Sequence, residues 1–118
     1  MTKDIGLAGI ALVIALAVGV SVVAAERSFS LEIQGGALVG NDKTVRVDEG
    51  DHVILRLRSD TAGAIHLHGY DLEHALAPGE ETTFGFEAFA AGRFPLTLHG
   101  DGGGHGRGAL GYLEVMPR

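Results

Sequence analysis

Alternation of apolar and polar residues with period two runs from Phe29 to Val115, and it limits the fold more than any other feature. Phe29, Leu31 and Ile33 alternate with Ser30 and Glu32, Val45 and Val47 flank Arg46, and Val53, Leu55 and Leu57 alternate with Ile54, Arg56 and Arg58. The pattern returns in Ile65 and Leu67, in Phe84 and Phe86, in Phe94, Leu96 and Leu98, and in Leu113 and Val115. Successive side chains of a strand point to opposite faces, so each run can bury one face and solvate the other. Turn residues separate the runs at Gly35-Gly36, Gly40-Asn41-Asp42, Glu49-Gly50-Asp51, Pro78-Gly79 and Ala91-Gly92. No amphipathic helix of useful length interrupts them. About seven or eight short strands at this spacing predict an all-β fold, an antiparallel sandwich or small barrel.

The 118 residues have room for one domain. Ile5 to Ala24 is almost wholly Ile, Leu, Val, Ala and Gly and carries no charge. Residues 1–25 therefore read as a signal peptide, with Val23-Ala24-Ala25 as a small-residue cleavage site before Glu26. The competing reading is an uncleaved membrane anchor, because about 20 apolar residues suffice to span a bilayer as a helix. Either reading puts residues 26–118 outside the cytoplasm, in the periplasm or its equivalent. A domain of that size buries a modest core. The sequence has no cysteine, so neither a disulfide nor a thiolate ligand is available. Net charge is −6, and Arg46, Arg56, Arg58 and Arg93 are scattered rather than striped, which argues against a nucleic-acid partner.

Four of the six histidines fall in two clusters: His66 and His68 in Ile65-His66-Leu67-His68-Gly69-Tyr70-Asp71, and His99 and His105 around a glycine-rich stretch. Imidazole is a common ligand for copper, zinc and nickel. His66 and His68, two apart, share a strand face with Cα atoms about 6–7 Å apart. Both reach one metal only if the strand end twists or breaks at Gly69. His99 closes the run from Arg93 to Leu98 and points away from Phe94, Leu96 and Leu98. His105 lies six residues on, in GDGGGHGRGALG, where seven of twelve residues are glycine. That stretch is a plain connector or a loop whose backbone approaches a site closely.

His52 shares parity with Ile54, Arg56 and Arg58 and reads as solvated, and His74 as a partly buried or surface residue. Asp71 and Glu73 are surface or turn residues, or carboxylates that orient an imidazole. No GxSxG elbow, phosphate loop or dinucleotide fingerprint is present. The histidines thus support either a folded metal site or a metal-free interaction module in which they are incidental.

The order of features resembles the cupredoxin-like domains over roughly residues 28–117. The resemblance rests on His-x-His-Gly-Tyr-Asp at 66–71 and Gly-Arg-Phe-Pro-Leu-Thr-Leu-His at 92–99. His66-Leu67-His68-Gly69 is also similar to the His-x-His-Gly copper motif of multicopper oxidases. The family implies a Greek-key β-sandwich, here at 26–118 behind one apolar N-terminal helix, and a copper site. His68 falls at the family's early histidine, His99 at the position usually held by the copper-ligating cysteine, and His105 at the later histidine. Without that cysteine a blue site is excluded, and Met116 lies beyond the loop that would supply an axial ligand. The resemblance therefore implies an all-nitrogen copper site drawing on His66, His68, His99 and His105, with zinc as a variant. Copper sequestration, delivery or tolerance is the expected role, with another exported copper protein or a membrane copper transporter as partner. A small copper redox protein or enzyme is the alternative, although fewer than 100 folded residues leave little room for a substrate cleft.

Overall fold

The computed structural model describes residues 14–15, 24–100 and 108–118. They form nine strands: β1 Glu26–Gln34, β2 Ala37–Leu38, β3 Thr44–Asp48, β4 His52–Ser59, β5 Gly63–Leu67, β6 Leu72–Leu76, β7 Glu81–Glu87, β8 Gly92–Gly100 and β9 Gly111–Met116. One sheet has the order β2-β1-β4-β7, the other β3-β9-β8-β5-β6. Each expected apolar run lies within a strand; β2 and β6 are additions. The expected N-terminal helix and His105 lie outside the described residues, of which no helix is long and apolar enough to cross a membrane.

The inward residues of both sheets meet in one core. Ile33, Val53, Leu55 and Leu57 come from the first sheet, and Val45, Ile65, Leu67, Leu96, Leu113 and Val115 from the second. Burying each Val, Leu or Ile side chain favours the fold by roughly 1.5–3 kcal/mol. An imidazole turned into that core without a partner would cost free energy instead. The alternation therefore decides that Ile65 and Leu67 point inward and His66 outward.

The expectation of purely antiparallel pairing is corrected: both sheets are mixed. β1 runs parallel to β4, with Phe29 opposite Leu55, and β3 runs parallel to β9, with Val45 opposite Leu113. The chain changes sheets at the Glu49-Gly50 turn, so β4 pairs with β1 rather than with its sequence neighbour β3. Local alternation carries no information about that choice.

Two polar devices hold the end of the sandwich where β1 begins. Asp51, 1% exposed, accepts hydrogen bonds from the Ala25 N–H at 3.3 Å, the Asp48 N–H at 2.9 Å and the Arg118 guanidinium at 3.0 Å. Tyr70 donates its hydroxyl to the Ala90 carbonyl at 2.7 Å and accepts the Ala90 N–H at 3.2 Å. Its ring packs on Phe86, Phe89 and Phe94, with centroids 5.4, 4.7 and 4.9 Å away.

Burial of the Tyr70 phenol raises its pKa, against the lowering effect of the Ala90 hydrogen bond. A raised acid pKa means that the folded state holds its proton longer, so this contribution is complete below pH ~10 and lost as pH rises further. Tyr70→Phe strips Ala90 of its partner and should cost about 1–3 kcal/mol at neutral pH in denaturant titrations. The deficit relative to wild type should shrink above pH ~10.

Candidate metal centre

The centre lies on the outer face of the five-stranded sheet and follows from the pairing of β5 with β8. Leu67 sits opposite Leu96 and Ile65 opposite Leu98, all four contributing to or packing against the core. The intervening residues then face outward in register: His66 opposite Thr97, and Ala64 opposite His99. β5 ends at Leu67, so His68 is the first residue of the following turn. Its backbone N–H still reaches the Pro95 carbonyl at 3.0 Å, which keeps it against β8.

This break lets His66 and His68 converge. Their ring centroids are 4.1 Å apart at a 42° tilt, and His66 and His99 are 5.9 Å apart. One nitrogen from each of His66, His68 and His99 lies within 4.8 Å of the others. Folding thus brings the nitrogens of His68 and His99, far apart in sequence, close together beside that of His66. His66 and His68 are half-buried and His99 is exposed, so solvent reaches the cluster. Three imidazole donors converging on an open face suit a metal ion that favours nitrogen ligands, such as copper.

A fourth residue enters the cluster that sequence reasoning missed. The Thr97 hydroxyl lies 2.9 Å from His68 Nε2 and 3.3 Å from His99 Nε2. Thr97 repeats with His99 the two-residue spacing of His66 and His68, and that parity was the available signal. A hydroxyl residue on an outer strand face is too common to stand out.

The other candidates lie elsewhere. His52 is exposed on the outer face of the opposite sheet, over Gly85. His74 is half-buried and stacks on Phe84, with centroids 4.0 Å apart and planes 11° from parallel. Glu73 is the cross-strand partner of His66 and is exposed; Asp71 is a turn residue with φ +54°.

Gly69 fixes the turn that carries His68. Its φ is +86°, and a Cβ there would collide with the Phe94 ring. Gly69→Ala should therefore lose roughly 1–3 kcal/mol from backbone strain alone, with more from the displaced ring. A thermal melt checks this, and the variant should also bind metal more weakly because His68 moves with the turn.

No protein-family model matches the chain, and no curated protein matches it. Solved structures do. A blue copper oxidase from Nitrosomonas europaea is 27% identical with a TM-score of 0.63, over 79% of this chain and 39% of that one. A multicopper oxidase from Pseudomonas thermotolerans is 23% identical with a TM-score of 0.65, over 80% of this chain and 30% of the other. A copper-containing nitrite reductase from Thermus scotoductus is 23% identical with a TM-score of 0.58, over 80% and 28%. The chain thus spans well under half the length of each of these proteins. What it shares with them is the cupredoxin-like β-sandwich.

Proposed function

We propose that this is an exported copper-binding protein whose site is made of histidines alone, serving copper sequestration, delivery or tolerance. The observation that carries the reading is the convergence of His66, His68 and His99 nitrogens within 4.8 Å on an open sheet face. Likeness to copper oxidases and a copper nitrite reductase favours copper over zinc, which the same donors would also accept. Bound there, copper would supply a Lewis-acidic, redox-active charge. The protein's own part is to hold three imidazoles in place on a rigid sheet and leave one side open. That openness suits transfer of the ion to another exported copper protein or a membrane transporter. Residues 1–25 would take the domain at 26–118 out of the cytoplasm, as a cleaved signal or a retained helix, and the domain would follow the family's Greek-key order.

The depression lined by Ser30, Glu32, Arg56, Arg58 and Glu81 lies on the other sheet, away from the histidines.

Titration of the domain with Cu(II), Cu(I) and Zn(II) tests the reading. The Cu(II) form should lack intense thiolate charge-transfer colour, since the chain has no cysteine. Its EPR should show the wide hyperfine splitting of tetragonal nitrogen ligation. His68→Ala and His99→Ala should each weaken binding by more than the roughly tenfold that losing even a partner which only orients a ligand costs. His52→Ala should leave binding unchanged, and His105→Ala reports whether the glycine-rich stretch contributes. Protons compete with the metal for imidazole nitrogens, so affinity should fall on acidification. Equal copper affinity in wild type and a His68→Ala/His99→Ala double variant would return the protein to the metal-free class.

A further inference from the structure

Resting on the copper-binding reading, we infer that Thr97 is a positioning residue that occupies the histidine nitrogens until a metal displaces it, and so lowers affinity and favours release. Its hydroxyl bridges His68 Nε2 at 2.9 Å and His99 Nε2 at 3.3 Å, while its strand position faces His66. It therefore touches two of the three imidazoles and stands opposite the third in the strand register.

Proton bookkeeping gives the bridge its consequence. A hydroxyl has one hydrogen to donate and two lone pairs to accept with. It can donate to only one of the two Nε2 atoms, so the other must be an N–H that donates to it. At least one of the two Nε2 atoms thus carries a proton while the bridge exists. A metal held through both Nε2 atoms would need both lone pairs. Thr97 would then give up both hydrogen bonds, and a ring protonated at Nε2 would carry its proton on Nδ1 instead or release it.

The bridge also keeps the metal-free site ordered. It ties the turn residue His68 to His99, next to the solvent-exposed end of β8, and holds the rings close together before any metal arrives. Ordering and competition come from the same two bonds. The backbone is held without the bridge, with His66, Thr97 and His99 fixed by the β5–β8 pairing and His68 by its N–H on the Pro95 carbonyl, so the competition is what the hydroxyl adds to affinity.

Thr97→Ala removes the competitor without leaving a methyl group in its place, as Val would. It should bind Cu(II) about three- to tenfold more tightly than wild type, the range expected for losing hydrogen bonds of ordinary net strength. Release to a chelator should slow by a similar factor. Thr97→Ser restores the hydroxyl and should return both values to those of wild type. In the metal-free protein, the His68 and His99 Nε2 nitrogen resonances should move in Thr97→Ala and not in Thr97→Ser. EPR of the copper-loaded forms should be the same for all three proteins. Weaker or unchanged copper binding in Thr97→Ala overturns the inference; weaker binding would mean that the hydroxyl supports ligation through Nδ1 or joins the copper itself. An altered EPR spectrum overturns it as well. If wild type binds no copper, the copper reading falls and this inference with it; if wild type binds and Thr97→Ala is no tighter, only this inference falls.

Discussion

The centre depends on the pairing register between β5 and β8. Each strand spends its inward positions on the core, with Ile65 and Leu67 on one side and Leu96 on the other, all buried. Because side chains alternate strictly, the same pairing sets His66 beside Thr97 and His99 beside Ala64. A slip of one residue would expose the leucines and bury the imidazoles. Core packing therefore protects the arrangement of groups that make no contribution to the core. Stability and the candidate function are linked through geometry on opposite faces of the same two strands.

Much of this was legible in the sequence, because parity is a local property. The outward direction of His66 and His99 follows from their leucine neighbours alone, as does the solvated position of His52. The need for a strand break near Gly69 was also legible, since two histidines on a straight strand stand too far apart to share one ion. Strand partners were not legible. The parallel pairing of β1 with β4 and of β3 with β9 is decided by where the chain changes sheets, which no single run records. Thr97 escaped notice for a different reason: its importance comes from two residues on other segments, His68 across the sheet and His99 two positions on, and a threonine in a strand carries no mark of that.

The likeness to larger copper proteins bears on architecture rather than on chemistry. The matched parts are 28–39% of those chains, and this chain has no cysteine to supply a thiolate ligand. What remains is a rigid two-sheet frame with imidazoles set on an outer face. In such a frame the sheet supplies the fixed distances, and side-chain rotamers and hydrogen bonds supply the adjustment.

Asp51 draws Ala25, Asp48 and Arg118 to a single buried carboxylate. The starts of β1 and β4 and the end of β9 thus meet at one end of the sandwich, and the outward imidazoles lie on a flank of it. An attachment made at that end would leave the flank lateral, like a label on the side of a bottle held by its neck. An incoming molecule could then meet the histidine face without passing the point of attachment.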